Sequence, residues 1–455
     1  MSRPMIQGEG ALATLLERPL AETPVEALRR LFLDGAKDAA DWRLGLEIEL
    51  FPLHIGQPIT AAFPEIEAIL GEIGERRRIP GEHERGGALI GLKGAGYSYS
   101  LEPGGQVEIA TRPYRALARL RQVVREFTGQ LADVGRGHGI RFLALGHHPY
   151  ANRQTVPKMP KARYDLMRAY LPKRGSRGLD MMHLTGSVQC AVDFSDERNL
   201  VDKIRVAARI SPFLTALTAA SPFTEGKPNG MRSMRYEIWR DVDAPRAGIW
   251  PEMLDEEGLT FARYIEHALD VPAMLFIREG EYRSAEPRPF RSYAQAGFQG
   301  TTVTVADFVD HLTTLFPEIR TKSYIELRGA DCVVPDEAVA IAGFWRGILD
   351  DDLARSEAND RLGALGYAQI LALQADVARL GLDASSPAGQ VREIARWLVD
   401  LSYRRLDAST IDCAECVLPL LERAERGRSP ADDLLELAAR SGLEAALDTV
   451  TLKAP

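Results

Sequence analysis

The fold is decided by the stretch Gly45-Leu46-Glu47-Ile48-Glu49-Leu50, in which acidic and apolar residues alternate. Successive side chains of an extended strand point to opposite faces, so Glu47 and Glu49 share one face and the apolar residues share the other. The pattern therefore predicts a β-strand with one face in the core. An isolated Glu-X-Glu is also typical of a strand with one solvated face, and for this stretch alone that interpretation stays open.

A second acidic segment is Leu101-Glu102-Pro103-Gly104-Gly105-Gln106-Val107-Glu108-Ile109. Its Pro-Gly-Gly sequence predicts a turn or bulge, so spacing alone does not fix the faces of Glu102 and Glu108. If both acidic segments share a sheet, up to four carboxylates converge, and like charges in a partly desolvated site raise one another's pKa. A divalent cation resolves this conflict. Oxygen ligands without Cys or His favour Mg²⁺ or Mn²⁺, and Mg²⁺ usually also holds substrate phosphates.

Length and charge indicate the broad class of protein. The chain has 455 residues, of which 45% are hydrophobic, and 56 Lys and Arg stand against 64 Asp and Glu for a net charge of −8. This balance gives no support to nucleic-acid or membrane partners, so small-molecule substrates are expected, with the protein a monomer or homodimer. The sequence shows neither a secretory leader nor an apolar run long enough to span a bilayer, which predicts a cytoplasmic protein.

Hydrophobic periodicity predicts mixed helices and strands. Helices are expected over the first forty residues, 62–77 and 114–135, and strands over 88–109, 141–146, 184–194 and 324–331. From residue 335 onward the pattern is helical. We predict a catalytic core over residues 1–349 and a helical C-terminal region over 350–455 packed on it.

Other polar groups are ambiguous. The adjacent His147 and His148 point to opposite faces of a strand, so at most one can face a site. The basic stretch 158–177 is interpreted equally well as a solvated loop and helix or as a phosphate-binding or substrate-closing loop. Four cysteines exclude a disulfide scaffold. Cys413 and Cys416 form a lone CxxC pair, for which a metal or redox role stays open, but buried helical thiols are the favoured interpretation.

Several common nucleotide-binding and catalytic motifs are absent from the sequence. There is no GxxxxGK[ST] loop, no GxGxxG after a strand, and no nucleophile elbow. What remains is a set of carboxylates and arginines distributed over several strands. Such a set suits a metal nucleotide and an anionic small substrate, and it suggests phosphoryl transfer to a carboxylate.

A series of longer motifs resembles the plant-type glutamate-cysteine ligases, which also occur in bacteria. In order along the chain these motifs are Ser100–Glu108, Met159–Met167, Gly178–Met182, Ser221–Gly230, Ser233–Arg235, Leu269–Pro272 and Glu326–Asp331. The resemblance implies an α+β, glutamine-synthetase-like catalytic domain, in which a largely antiparallel sheet forms a funnel surrounded by helices. It also implies ATP-dependent ligation of the γ-carboxylate of glutamate to the amino group of cysteine, giving γ-glutamylcysteine for the biosynthesis of thiols such as glutathione.

The resemblance further implies roles for individual residues. Arg235 would bind the glutamate carboxylate, Arg328 would bind the ATP phosphates, and both would act in catalysis. Thr185, Gln189 and Trp239 would line the substrate site, and Lys93 would join Arg328 in nucleotide binding. The residues expected to hold the Mg²⁺ ions that accompany ATP are Glu47, Glu49, Glu102, Glu108, Gln189 and Glu326.

One position departs from the plant-type pattern. Where that pattern reads Met-Met-Leu-Arg-Thr-Cys-Thr-Val-Gln, this chain has Met181-Met-His-Leu-Thr-Gly-Ser-Val-Gln189, so Leu184 replaces an arginine expected on the substrate side. A leucine cannot supply the positive charge and hydrogen-bond donors of an arginine. A γ-glutamyl ligase with another amine acceptor is therefore one alternative. A non-catalytic glutamate or nucleotide sensor on the same fold is another, although the presence of all six expected metal ligands argues against it.

Overall fold

The structure is a computed structural model that describes residues 11–409 and 413–454. Its strands, numbered along the chain, are β1 (Leu44–His54), β2 (Gly81–His83), β3 (Leu89–Lys93), β4 (Tyr97–Leu101), β5 (Val107–Thr111), β6 (Ile140–Leu143), β7 (Ser187–Val192), β8 (Phe223–Thr224), β9 (Lys227–Pro228), β10 (Ala247–Gly248), β11 (Leu275–Arg278), β12 (Glu281–Ser284), β13 (Phe316–Pro317), β14 (Ile319–Thr321), β15 (Ile325–Asp331), β16 (Ser385–Ser386) and β17 (Gly389–Gln390).

The helices of the described residues are α1 (Ala11–Glu17), α2 (Val25–Leu28), α3 (Arg30–Leu33), α4 (Phe63–Arg77), α5 (Leu117–Gly137), α6 (Ala162–Tyr170), α7 (Gly178–Leu184), α8 (Glu197–Thr218), α9 (Met234–Trp239), α10 (Phe261–Asp270), α11 (Phe290–Ala296), α12 (Val305–Leu312), α13 (Pro335–Leu349), α14 (Asp352–Leu362), α15 (Tyr367–Leu380), α16 (Val391–Asp407), α17 (Leu418–Arg426), α18 (Pro430–Ser441) and α19 (Leu443–Thr449).

A nine-stranded sheet forms the centre of the fold. Its strand order is β14-β15-β7-β1-β5-β4-β3-β2, and β6 pairs with the end of β1. All neighbouring strands of this sheet run antiparallel. The sheet is open rather than closed into a barrel. The prediction of an α+β protein built on a largely antiparallel sheet is confirmed.

Strand β1 lies near the middle of the sheet, and its apolar residues are covered on one face. Leu46, Ile48 and Leu50 are buried, whereas Glu47 and Glu49 between them are only half-buried. The apolar side is covered by α13, which contacts both β1 and β7 and is buried from Glu337 to its last residue. The opposite, acidic face of β1 is the one that carries the candidate site.

Several predicted elements differ in detail from those observed. The helical pattern of the first forty residues gives only the short helices α1, α2 and α3, and residues 1–10 lie outside the described residues. The strand predicted over 184–194 begins only at Ser187, because Leu184 is the last residue of α7. The helical C-terminal region is observed apart from the β16–β17 hairpin, and its boundary at residue 350 stays a prediction. No helix in the described part of the chain is long and apolar enough to cross a membrane.

Candidate active site

The register of the sheet brings the predicted acidic residues onto one face. Glu47 lies opposite Gln189 of β7, and Glu49 lies opposite Glu108 of β5. Side chains of directly opposed residues share a face, with Cβ atoms about 5 Å apart. Glu326 of β15 is paired with Ala191, which is two residues from Gln189, so it points to the same face. Distant parts of the sequence thus meet on one surface of the sheet.

Short polar contacts hold these carboxylates in place. Ser187 Oγ donates to Glu49 Oε2 at 2.8 Å, and Gln189 Nε2 donates to Glu49 Oε1 at 3.3 Å. Ser100 Oγ, on the neighbouring strand β4, donates to Glu108 Oε1 at 2.8 Å. Neither Ser187 nor Ser100 was predicted to have a role, although both alternate in phase with predicted site residues.

The turn between Glu102 and Gln106 connects two of the acidic positions. Gly105 N donates to Glu102 O at 2.9 Å, and Glu102 N donates to Gln106 O at 2.8 Å. The side chain of Gln106 is buried and donates through Nε2 to Thr185 O at 2.8 Å. Gln106 therefore ties the turn to the start of β7, a role that the sequence did not reveal. Thr185, predicted to contact substrate, donates its hydroxyl to Met181 O at 2.7 Å.

Replacing Gly104 in this turn by alanine is expected to damage both stability and activity. A Cβ atom there would lie 2.1 Å from the backbone oxygen of His183, so the turn or α7 must shift. Such overpacking costs about 1 to 3 kcal/mol of unfolding free energy and moves Glu102. Denaturant unfolding and turnover measure the two effects. The control is Gly137→Ala at the end of α5, where an added Cβ would meet no described atom within 4 Å beyond the neighbouring residues and the helix's own backbone. Equal losses in both variants would contradict the steric explanation.

Burial and mutual repulsion raise the pKa values of three of the glutamates. The pKa of Glu47 rises to about 8, first through burial and then through the charges of Glu108 and Glu326. Burial, with the charges of Glu102 and Glu49, raises the pKa of Glu108 to about 8. Burial likewise raises the pKa of Glu102 to about 7, against the lowering effect of Lys161. The face therefore has more carboxylates than its own cations neutralise.

Glu326 is the exception among these glutamates. Burial alone would raise its pKa, but Lys322, Arg320 and Arg328 outweigh burial and hold the pKa well below its ordinary range. Arg328 Nη1 lies 2.8 Å from Glu326 Oε2, Arg320 Nη1 lies 3.3 Å from the same oxygen, and Lys322 Nζ contacts Oε1. Arg320 and Lys322 were not predicted. The sequence signal for them was the alternation of Arg320 and Lys322 just before β15. In the structure Arg320 lies directly opposite Glu326 in the β14–β15 pair.

The donor chemistry of this face fits Mg²⁺, although the side chains do not form a closed set of ligands. Among the described residues, no three His, Cys, Asp or Glu side chains are grouped closely enough to hold a metal ion. The raised pKa values of Glu47, Glu102 and Glu108 nevertheless show a local shortage of positive charge. Half-buried carboxylate oxygens are the ligands that Mg²⁺ prefers. That all six predicted residues hold metal ions stays a prediction.

A small cavity of about 270 Å³ lies beside the acidic face, and we call it the Arg235 cavity. Arg235, Trp239, Arg328 and Glu318 are among the residues that line it. Arg235 is buried and donates to the backbone oxygens of Gly329 at 3.0 Å and Arg328 at 2.6 Å. Among the described residues, its Nε has no hydrogen-bond partner. The predicted residues Arg235, Trp239 and Arg328 are thus brought together, with both guanidinium groups within 6 Å of the Trp239 ring.

Two buried carboxylates to which the sequence assigned no role, Asp331 and Glu318, lie near Arg235 and favour its charged form. Asp331 accepts hydrogen bonds from Ser221 Oγ at 2.6 Å and Ser233 Oγ at 2.7 Å, and Ser221 Oγ also accepts from Arg235 N at 3.2 Å. Glu318 accepts from Gln374 Nε2 of α15 at 2.8 Å. Burial raises the pKa of both carboxyl groups. The C-terminal helices therefore reach the Arg235 cavity through a side-chain contact.

Lys93 lies on the acidic face but far from its centre. The register Glu47–Ala110–Ser98–Lys93 runs across four adjacent strands, so Lys93 is three strand spacings, about 14 Å, from Glu47. Its side chain is exposed. Its role in nucleotide binding stays a prediction.

The histidine pair, the basic stretch and the cysteine pair, which the sequence left ambiguous, have different surroundings in the structure. His147 and His148 follow β6 outside a regular strand, and their rings have different partners, His147 Nδ1 with Phe223 O at 3.2 Å and His148 Nε2 with Thr60 Oγ1 at 2.8 Å. Within the basic stretch, Lys161 Nζ donates to Leu101 O at 2.5 Å beside Glu102. Cys416 is buried, whereas Cys413 is half-buried at the start of a short 3-10 turn rather than within an α-helix.

Fold and site together define an α+β protein in which an open antiparallel sheet carries an acidic face beside an arginine-lined cavity. Comparison with solved structures supports this fold: a glutamate-cysteine ligase of Francisella tularensis in complex with AMP aligns with a TM-score of 0.56, at 12% identity, over 91% of this chain and 88% of that one.

Comparisons of sequence identify the family. The profile of glutamate-cysteine ligase family 2 matches residues 43–449. The chloroplastic glutamate-cysteine ligase of Brassica juncea is 36% identical over 90% of this chain and 80% of its own length. Those of Nicotiana tabacum and Arabidopsis thaliana are 36% and 35% identical, covering 94% and 90% of this chain and 84% and 79% of their own lengths. The chain belongs to glutamate-cysteine ligase family 2.

Proposed function

We propose that the protein is an ATP-dependent glutamate-cysteine ligase that forms γ-glutamylcysteine through a γ-glutamyl phosphate. The observation that supports this most directly is that Glu47, Glu49, Glu108 and Arg328 lie on one face of the sheet, next to the Arg235 cavity. A carboxylate becomes an acylating agent only after phosphorylation, and phosphoryl transfer depends on positioned positive charge more than on covalent chemistry.

The residues of the site divide between the two halves of the reaction. The γ-carboxylate oxygen of glutamate attacks the terminal phosphorus of ATP, and ADP leaves. The amino group of cysteine then attacks the acyl carbon, loses a proton, and phosphate leaves. Arg235 would hold the α-carboxylate of glutamate, with the Trp239 ring as one wall. Arg328, already within 2.8 Å of Glu326, would turn its remaining donors to the transferring phosphate.

Nucleotide and metal would be bound at the acidic face. Nucleotide binding has a precedent in the Francisella tularensis ligase, which was crystallised with AMP. Mg²⁺ would be held by Glu47, Glu49, Glu102 and Glu108, on the face where the pKa values of Glu47, Glu102 and Glu108 are raised. When bound, it neutralises the phosphate charge that develops during transfer. Gln189 and Glu326 would complete the set, and Lys93 would contact the nucleotide at the edge of the sheet.

Localisation and assembly are predicted from the sequence alone. We expect a cytoplasmic monomer or homodimer that supplies γ-glutamylcysteine to thiol biosynthesis such as glutathione synthesis. The plant relatives described above are chloroplast proteins, so a plastid-like compartment is the other setting in which this family acts.

The choice of amine is tested by competition. With glutamate, ATP and Mg²⁺ present, we expect cysteine to be coupled first and 2-aminobutyrate second, because exchanging a thiol for a methyl group changes binding by only about 1 to 3 kcal/mol. Large or charged amines should be poor acceptors. Equal concentrations are supplied together, and the γ-glutamyl products are quantified by mass spectrometry alongside phosphate release. Efficient coupling of another amine with exclusion of cysteine would replace this proposal by a ligase with a different acceptor.

A further inference from the structure

A second cavity lies along a neighbouring face of helix α9 and contains the residue that departs from the plant-type pattern. This open cavity of about 780 Å³, which we call the Leu184 cavity, is lined by Leu184, Arg153, Arg177, Asp180 and Glu225, together with Ala151, Met234 and Ile238. None of the reaction steps described above involves this cavity.

Helix α9 borders both the Leu184 cavity and the Arg235 cavity. Arg235 and Trp239, one turn apart on this helix, line the Arg235 cavity, whereas Met234 and Ile238, also one turn apart, line the Leu184 cavity. Successive residues of a helix point about 100° apart around its axis, so the two cavities lie along neighbouring faces of α9. The Leu184 cavity also reaches the catalytic sheet, because His147 on its wall is bridged to Thr185, immediately before β7.

The charged wall of the Leu184 cavity is built on Asp180. This buried carboxylate binds Arg153 through both of its oxygens, with Nη2 at 2.8 Å, and binds Arg177 Nη1 at 3.0 Å. Arg153 Nη2 is further held by Ser176 O at 2.7 Å. Two guanidinium groups thus share one carboxylate, leaving an excess positive charge in a fixed position. Within the described part of the chain, Arg153 Nη1 and Arg177 Nη2 have no hydrogen-bond partner, and both side chains are about two-fifths exposed, at 42% and 44%.

The remaining walls specify what the arginines can bind. Glu225, held by Asn152 Nδ2 at 2.7 Å, contributes a negative charge. Burial lowers the pKa of His147 to about 4, so its ring is neutral at physiological pH. Two arginines therefore balance one aspartate and one glutamate, which matches a zwitterion rather than a phosphate or a dicarboxylate. The apolar side chains of Leu184, Met234 and Ile238 leave room for a small uncharged side chain.

The same geometry explains how Leu184 is compatible with binding an amino acid. Leu184 lies four residues after Asp180 on α7, so the two side chains are adjacent on the helix surface. An arginine at position 184 would occupy the place beside Asp180. In this chain Arg153, from the segment before α6, and Arg177, at the N-terminal cap of α7, supply that positive charge, and Leu184 becomes part of the apolar wall.

We propose that the Leu184 cavity is the acceptor site of the ligase, in which Arg153 and Arg177, held by Asp180, bind the α-carboxylate of the incoming amino acid. This inference rests on the proposed function and adds the residues that select an α-amino acid over a simple amine. Arg153 and Arg177 are specificity-determining residues, and the activation of glutamate does not depend on them.

Three acceptors separate the possibilities when the full-length protein is supplied with glutamate, ATP and Mg²⁺. Cysteine has the α-carboxylate, cysteamine is the same amine and thiol without it, and hydroxylamine reports only the formation of an activated γ-carboxyl group, as a hydroxamate. The wild-type protein is expected to prefer cysteine to cysteamine by about 10- to 100-fold in kcat/KM, the range for a charge-assisted pair. In Arg177→Gln and in Arg153→Gln, kcat/KM for cysteine should fall by a similar factor, while the values for cysteamine and hydroxylamine should not change.

Two further variants complete the test. Lys173→Gln removes an exposed charge four residues before Arg177, outside the cavity, and should behave as wild type. Leu184→Arg in the Arg177→Gln background should restore the preference for cysteine, which a merely structural role of Arg177 would not produce. An equal fall for all three acceptors, or an unchanged ratio of cysteine to cysteamine in both arginine variants, overturns the inference. If the wild-type protein forms no hydroxamate, the proposed function itself fails.

Discussion

Replacing Glu47 by glutamine is expected to abolish turnover without weakening the fold. An amide coordinates Mg²⁺ much less strongly than a carboxylate, and a metal at the transferred phosphate is worth several kcal/mol, so kcat should fall by about 100-fold or more. The raised pKa of Glu47, about 8, means that the metal-free protein holds this side chain protonated at neutral pH. Glutamine has nearly the shape and hydrogen-bonding character of that protonated form.

The pH dependence of stability separates this explanation from a structural one. Because the folded-state pKa of Glu47 is raised above its ordinary value of 4.5, its contribution to stability is fully present below pH 4.5 and is lost as the pH rises through about 8. Without metal, Glu47→Gln should therefore match wild type at pH 4.5 and have a higher thermal midpoint at pH 8. Mg²⁺ with nucleotide should stabilise the wild type more than the variant.

The matched control for Glu47→Gln is Glu425→Gln, which changes an exposed glutamate far along the chain, on α17. It should leave turnover, metal dependence and the thermal midpoint unaltered. Near wild-type turnover of Glu47→Gln with unchanged metal dependence would remove Glu47 from the site, and loss of the folded state would make its role structural.

Replacing Arg235 by lysine is expected to raise KM for glutamate by about 10- to 100-fold while KM for ATP changes little. Its planar fork donates to two backbone oxygens of β15, and an ammonium group on a flexible stem cannot reproduce that arrangement and a carboxylate contact together. The loss of a charge-assisted pair costs about 1.5 to 3 kcal/mol. Steady-state kinetics with each substrate varied in turn measure the split.

Arg240→Lys is the control at the C-terminal cap of the same helix, because Arg240 is exposed and, among the described residues, its ion pair is with Glu237, at 2.6 Å. Its kinetics should equal those of the wild type. If Arg235→Lys instead changed only KM for ATP, Arg235 would belong to the nucleotide and the glutamate carboxylate would need another partner.

The sequence by itself determined the local elements and the composition of the acidic face. Alternation at Glu47 and Glu49 predicted β1, and Glu326 and Arg328 were placed on one face of their strand, where Arg328 Nη1 now lies 2.8 Å from Glu326 Oε2. The motif order also gave the family and therefore the fold. These inferences succeed because side-chain direction in a strand depends only on the parity of position, which the sequence contains.

Only the tertiary structure decided which of these residues meet, and what holds them. The pairing of Glu49 with Glu108 and of Glu47 with Gln189 is a matter of register between strands far apart in sequence, and a shift of one residue would turn every side chain to the other face. The cations on Glu326 and the buried carboxylates beside Arg235 depend on the same long-range packing. Leu184 is the clearest case: in the sequence it is a missing charge, whereas in the structure Arg153, from the segment before α6, and Arg177, at the N-terminal cap of α7, bring that charge to Asp180. The contact of Arg177 is local, three residues from Asp180. Arg153 reaches Asp180 from 27 residues away, and no local pattern records that contact.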